Sequence, residues 1–139
     1  MKGMKWLKTI SPLLTLILIG GVVFVATYSE QKARAAEIEG RVAWVTDGDT
    51  IRIEGHPYPI RLWGIDAAER DTIAGQSARS FLESKIKGER LLCRRKAVDD
   101  YRRTVATCEI AGEDLSALMI NVGHAQEFCR FSRNAFGTC

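Results

Sequence analysis

Cys93 and Cys108 stand at equal distances from the Asp100–Tyr101 link inside the run Asp99-Asp100-Tyr101-Arg102-Arg103, and this symmetry constrains the fold of the 139-residue chain more than any other feature. Segments 91–98 and 104–110 on either side have strand character, and the charged run between them reads as their turn. A hairpin centred between Asp100 and Tyr101 sets the two cysteines directly opposite one another. Opposed residues of an antiparallel pair lie ~4.5–5.5 Å apart at Cα, within the reach of a disulfide. Cys129 and Cys139 would then close a short C-terminal loop. Four cysteines allow three pairings; this geometry selects Cys93–Cys108 with Cys129–Cys139. The plain alternative is four reduced cysteines acting as small buried hydrophobes. No C-x-x-C or His/Cys spacing suggests zinc.

An oxidising compartment is expected from the N-terminus as well. Lys2, Lys5 and Lys8 precede an apolar run at 10–28, interrupted early by Ser11, Pro12 and Thr15. As a helix this run would be ~28 Å long, close to the ~30 Å hydrocarbon thickness of a bilayer. It reads as an export signal with its positive end in the cytoplasm. Ala33-Arg34-Ala35 fits a small-x-small cleavage rule, but the polar stretch 29–34 is an awkward distance past the run. A membrane anchor and a removed signal peptide both stay open, and either carries the remainder out of the cytoplasm, where an even cysteine count favours disulfides. The division expected is an anchor or signal at 1–36 and a domain at 37–139. The domain carries fifteen Lys and Arg against sixteen Asp and Glu, a net charge of −1 rather than the whole-chain +3. Strong non-specific nucleic-acid binders are usually basic, so contact with a polyanion would rest on local clustering of Arg94, Arg95, Lys96, Arg102 and Arg103.

Within the domain, segments 39–45 and 50–54 surround Asp47-Gly48 as a second hairpin. A third strand is predicted over 58–65. Helical spacing of Ala78, Phe81, Leu82 and Ile86 predicts a helix over 76–87, ended by Gly88. A second helix follows Asp114 as N-cap, with Leu115, Leu118, Met119 and Val122 on one face and Gly123 as its stop. The order β-β-β-α-β-β-α suits a small five-stranded Greek-key barrel with two helices, an α+β fold preceded by an apolar N-terminal helix.

Three stretches carry chemistry: Asp47-Gly48-Asp49-Thr50, Arg61 to Glu69 with Asp66 between, and Asp99 to Arg103. Carboxylates at 49 and 66 suit a hard divalent cation. Glu69, three residues beyond, can act on a water near that metal, and Arg61 and Arg103 offer planar donor forks that match phosphate oxygens. Alone, each stretch would be a plain turn or a solvated charge run; their combination is specific. His56 and His124 have no base-and-nucleophile partner nearby in sequence. Trp44 and Trp63 read as core or barrel-rim residues, and Phe128 and Phe131 as anchors that dock the tail on the core, with aromatic platforms for bases as their second reading.

The three stretches resemble the staphylococcal nuclease (thermonuclease) family, whose pattern runs D-G-D-T, R-L-x-x-x-D-x-P-E and D-x-Y-G-R. The likeness covers roughly residues 39–131. It implies an OB-fold, with Ca²⁺ held by Asp49, Asp66 and the backbone carbonyl of Ala67. Glu69 becomes the general base, Arg61 and Arg103 the phosphate clamp, and Asp47 and Thr50 supports of the metal loop. Tyr101 stacks on a base or hydrogen-bonds a phosphate, or merely covers the barrel end. Ala68 replaces the family's proline and Arg102 its glycine. The resemblance implies an exported Ca²⁺-dependent endonuclease that hydrolyses DNA and RNA, single strands favoured, with no obligate protein partner. A catalytically silent OB-fold module binding single-stranded nucleic acid or a protein at the cell envelope is the rival, and a purely structural disulfide-stapled envelope domain is a third reading.

Overall fold

Residues 17, 21–28, 30 and 36–139 are described by the computed structural model. About half of the run at 10–28, and most of the expected anchor or signal at 1–36, therefore lie outside the described residues. Positions 17 and 21–28 are helical. Among the described residues no helix is long and apolar enough to cross a membrane.

Strand β1 (Glu37–Asp47) is two residues longer at each end than the expected 39–45. Its alternation slips where the pairing register shifts between Val42 and Trp44. An extra residue at such a bulge reverses which face the following side chains take. Val42 and Val45, three positions apart, therefore both point into the core. The same slip leaves Trp44 on the outer surface, 53% exposed, with the Arg52 guanidinium 5.5 Å above its ring. The expectation of a core or rim role for Trp44 is corrected accordingly.

The first half of β1 pairs with β5 (Arg90–Val98) and the second half with β2 (Thr50–Ile53). Strand β2 pairs with β3 (Ile60–Leu62), and β5 with β6 (Thr104–Ile110). A parallel pairing of β3 with β6 closes the five strands into a barrel. A two-residue strand, β7 (Glu113–Asp114), extends β6. The third strand is shorter than the expected 58–65. A turn at Trp63-Gly64 splits it, with Gly64 at φ 77°, and β4 (Ile65–Ala67) departs to pair with β8 (Ala125–Glu127).

Helix α1 (Ile73–Ile86) starts three residues before the expected 76, because the Thr72 hydroxyl accepts a hydrogen bond from the Gly75 N–H at 3.0 Å and caps it. Its face of Gly75, Ala78, Leu82 and Ile86 is buried. Helix α2 (Leu115–Asn121) begins at the expected cap, with Asp114 accepting from the Ala117 N–H at 2.9 Å. Val122 lies past its end and is exposed, so the buried stripe stops at Met119. A one-turn helix, α3 (Cys129–Ser132), follows β8. The core is aliphatic: Ile51, Ile60, Leu62, Ile65, Leu82 and Leu91 are each no more than 1% exposed, and burial of such a side chain contributes ~1.5–3 kcal/mol.

Both expected disulfides form, Cys93 opposite Cys108 in the hairpin with Cα atoms 4.0 Å apart, and Cys129 with Cys139 at 5.7 Å. Phe128 and Phe131 do not dock the tail; they pack on each other at 4.8 Å and stay exposed. Phe136 docks it instead, half-buried against the core, and the buried Glu127 carboxylate gathers the tail around itself. That carboxylate accepts from the Ser132 hydroxyl at 2.6 Å, the Phe136 N–H at 3.1 Å, and the N–H and hydroxyl of Thr138 at 2.8 Å each.

The Cys93–Cys108 bridge closes a loop of the length for which chain entropy gives ~3 kcal/mol. Cys93→Ser with Cys108→Ser should lose stability of that order, read from the midpoint of a urea melt. Acid unfolding should report on the tail. Burial pushes the Glu127 carboxyl up, but the four donated hydrogen bonds outweigh it and hold the group down at about 2, against an ordinary 4.5. The unfolded chain then binds more protons between these values, so this contribution is complete above about 4.5 and disappears as pH falls towards 2. Glu127→Gln should flatten the stability profile in that window.

Candidate active site

The hairpin between β1 and β2 places the first carboxylates. Asp47 Oδ1 accepts from the Asp49 N–H at 3.2 Å, and the Thr50 hydroxyl donates to Asp49 Oδ1 at 2.9 Å. Gly48 is required here for space, and its φ is not positive. A Cβ on Gly48 would lie 2.7 Å from the Ala67 Cβ and 2.8 Å from the Ala78 Cβ. The turn thus nests between β4 and α1, which brings Asp49 beside Ala67.

Arg61 is the centre of the arrangement. It sits on β3 opposite Thr50 on one side and Val105 on the other. Its Nη1 lies 2.8 Å from Asp49 Oδ2 and its Nη2 3.0 Å from Asp66 Oδ1. One guanidinium therefore joins the two carboxylates expected to share a cation. Asp49 is buried, whereas the Asp66 side chain is 63% exposed. Burial pushes the Asp49 carboxyl up to about 6; Arg61, the Ala67 N–H and the Thr50 hydroxyl pull it down, and the neighbouring Asp47 charge works against them. Arg61 Nη1 is buried and, despite its closeness to Asp49, has no aligned hydrogen-bond acceptor. At 2.8 Å the Asp49 carboxylate still compensates this buried charge electrostatically.

The Ala67 N–H donates to Asp49 Oδ2 at 3.1 Å, a tie that the sequence does not announce. Beyond it the chain turns into α1 through Glu69. The Glu69 carbonyl accepts from both the hydroxyl and the N–H of Thr72, at 2.7 and 3.0 Å. Gly75 makes this possible: a Cβ there would overlap the Glu69 carbonyl and crowd that of Ala68. Backbone contacts hold the loop while the Glu69 side chain stays exposed. Asp66, Ala67 and Ala68 also line an open cleft of about 770 Å³, together with Ile73, His124 and Gln126.

At the tip of the β5–β6 hairpin, Asp99 organises the turn. Its Oδ1 accepts from the N–H groups of Tyr101 and Arg103, at 3.0 and 2.9 Å, and its Oδ2 from Arg103 Nε at 2.7 Å. Burial raises the Asp99 carboxyl, but these bonds and the Arg103 charge bring it below its ordinary value. Tyr101 is 81% exposed, with the Arg103 guanidinium 5.3 Å over its ring. Arg61 pairs with Val105 in parallel register, and Arg103 lies two residues before Val105, where the turn enters β6. The rest of the expected basic cluster is partly engaged: Arg94 is ion-paired with Glu37 and Glu109, and Lys96 lies over the Trp63 ring. His56 and His124 stand away from this chemistry, His56 on the Thr104 hydroxyl at 3.1 Å and His124 against Phe81.

The family model described as Staphylococcal nuclease homologue matches residues 59–136, more than half of the chain. This chain belongs to the staphylococcal nuclease family. The match includes Arg61, Asp66, Glu69 and Arg103; Asp49 precedes it. Protein ParB of Escherichia coli is 36% identical over 74 residues, which cover 52% of this chain and 42% of the relative. An uncharacterized endonuclease of Haemophilus influenzae is 28% identical over 97 residues, covering 68% and 54% respectively. The chain thus spans about half the length of these curated relatives.

The nuclease family is generally metal-dependent. Among the described residues no three or more His, Cys, Asp or Glu side chains converge into a ready-made cage. The donors are nevertheless suitable for a hard cation. They are all oxygen, two carboxylates share one guanidinium, and the Asp47 carboxylate beside Asp49 leaves negative charge in excess of Arg61. The departures from the family pattern have distinct consequences. Ala68 leaves the loop to be held by Thr72 and the close approach at Gly75. Arg102, in the place of glycine, takes up the left-handed conformation that glycine favours, with φ 60°.

A left-handed non-glycine residue costs ~1–2 kcal/mol, of which glycine's greater unfolded freedom returns ~0.4–1. Arg102→Gly should therefore stabilise the protein by up to about 1 kcal/mol, by the difference of two denaturation curves. Gly75→Ala should act oppositely, and chemical-shift changes at Ala68, Glu69 and Thr72 should show the loop displaced.

Proposed function

We propose that this protein is an exported, Ca²⁺-dependent endonuclease that hydrolyses phosphodiester bonds of DNA and RNA, single strands favoured. The observation that carries this reading is the Arg61 guanidinium joined to both Asp49 and Asp66. A cation held by the Asp49 and Asp66 carboxylates and the Ala67 carbonyl would supply positive charge beside the scissile phosphate. Glu69, exposed and without an ion-pair partner among the described residues, takes a proton from the attacking water. The water oxygen then bonds to phosphorus as the bond to the 5′ oxygen breaks, leaving a 3′-phosphate end, the outcome the family likeness implies. Arg61 and Arg103 neutralise charge that develops on the phosphoryl oxygens. Asp47 and Thr50 hold the Asp49 carboxylate in place, and Tyr101 offers a face for a base or a phosphate.

The near-neutral domain supports local recognition over tracking along a polyanion. The family membership and an endonuclease relative support cleavage over silent binding. Export rests on the N-terminal lysines with the apolar run behind them, and agrees with the two disulfides. Attachment to the outer face of a membrane through residues 1–36 is part of the same proposal.

Digestion of single-stranded DNA by the full chain, with Ca²⁺ or with a chelator, tests the reading. Cleavage only with Ca²⁺ is expected. Binding without cleavage under both conditions would establish the silent module instead. Glu69→Gln should retain substrate binding and lose ~10²–10⁴-fold in turnover; wild-type turnover would remove Glu69 from the mechanism. Arg103→Lys should also be slow, since an ammonium cannot reproduce the two-pronged contact.

A further inference from the structure

The separation of Arg61 from Asp66 is set by the four residues between them, and the C-terminal tail lies against their turn. Leu62 and Ile65 are buried in the core, while Trp63 and Gly64 make the turn. The Phe136 ring lies 5.9 Å from the Trp63 ring. A Cβ on Gly64 would come 2.9 Å from the Phe136 ring and 3.2 Å from the Ser132 Cβ, so tail and turn are in close contact. The Phe128 N–H donates to the Gly64 carbonyl at 2.8 Å. Ile65 and Asp66 pair with Glu127 and Gln126.

What fixes the tail is not a hydrophobic helix. Its backbone is folded around the Glu127 carboxylate, which takes all four hydrogen bonds described above and makes no ion pair among the described residues. The Cys129–Cys139 bridge closes the same segment. Both carboxylate oxygens act only as acceptors, and each serves two donors. An amide in this place would turn an NH₂ group towards two of those donors.

We propose that Glu127 and the Cys129–Cys139 loop position the catalytic site, holding the Trp63-Gly64 turn so that Arg61 and Asp66 keep the spacing needed to share a phosphate-bound site. The catalytic consequence rests on the nuclease reading above; the positional claim does not. Reacting groups displaced by about 1 Å can lose ~10²-fold in rate, so a loosened turn acts on turnover before it acts on folding.

The test uses the full chain as wild type, Glu127→Gln, Cys129→Ser with Cys139→Ser, and Phe136→Leu, which keeps the carboxylate and the bridge. Ile86→Val, in the core on α1, serves as a control for general destabilisation. Cleavage of single-stranded DNA is measured below the melting temperature of every variant, together with amide hydrogen exchange resolved by peptide. Expected are a drop in kcat of roughly tenfold to a hundredfold in the three tail variants, within the loss that small displacements cause, and KM within about twofold. Exchange over 62–67 should be at least about tenfold faster while the β5–β6 amides are unchanged, and Ile86→Val should retain kcat. Unchanged exchange over 62–67, or faster exchange there with wild-type kcat, would overturn the proposal and leave the tail a staple for stability alone. If the wild type cleaves no nucleic acid under any condition, the nuclease reading fails by itself. Exchange over 62–67 then still decides whether the tail holds the turn.

Discussion

The parallel pairing of β3 with β6 closes the barrel and also arranges its chemistry. Strand β3 has only three residues, yet it is bonded to β2 on one side and β6 on the other, so its buried backbone groups are served from both edges. Ile60 and Leu62 point inward, and the two-residue period of a strand then forces Arg61 outward. The same period on β6 buries Thr104 and Ala106 and puts Val105 on the face of Arg61. Thr50, the residue after Asp49, is opposite Arg61 on β2. A charged cluster that is scattered through the chain is thereby assembled by strand parity.

Electrostatics at this surface is local. Many of the cations are already matched within the fold: Arg90 with Glu39, Arg94 with Glu37 and Glu109, Lys87 with Glu83 and Arg103 with Asp99. Exposed pairs of this kind contribute ~0–1 kcal/mol each, so they arrange side chains without locking them against a competing phosphate. The Arg61 pairs differ because Asp49 is buried. There the loss of hydration is large enough to outweigh an adjacent guanidinium, and it keeps the carboxyl well above its ordinary range.

Close packing, more than backbone freedom, explains Gly48 and Gly75 beside the site, whereas Gly64 supplies a positive φ. Gly48 lies between two alanine side chains and Gly75 under two carbonyls, and neither has a positive φ. Where a positive φ is required, in the 99–103 turn, the chain uses Arg102. The Asp99 carboxylate stabilises that turn by bonding to the N–H groups on either side of it, which offsets part of the strain and explains how the family's glycine could be replaced without losing the turn.

Local chemistry was legible in the amino-acid sequence. The hairpin symmetry of Cys93 and Cys108, the Asp114 cap, the apolar face of α1 and the order of the barrel strands all depend on spacing or period, which a linear reading contains. The motif residues were legible too, since Asp49, Arg61 and Asp66 do meet. Other features depended on contacts between segments far apart in the chain. The split of the third strand at Gly64 answers to the tail some seventy residues later. The place of Trp44 outside the core follows from a bulge in its pairing with β2, and the docking by Phe136 rather than Phe128 or Phe131 from where Glu127 draws the tail. Glu127 itself looked like one more surface charge, because nothing in its neighbours reveals that four donors will converge on it. Sequence determined which groups this protein has and their local conformations. Tertiary structure decided which of them are buried together, because burial and hydrogen-bond partnership are properties of closure, and closure here is made by the non-local pairings of β3 with β6 and β4 with β8.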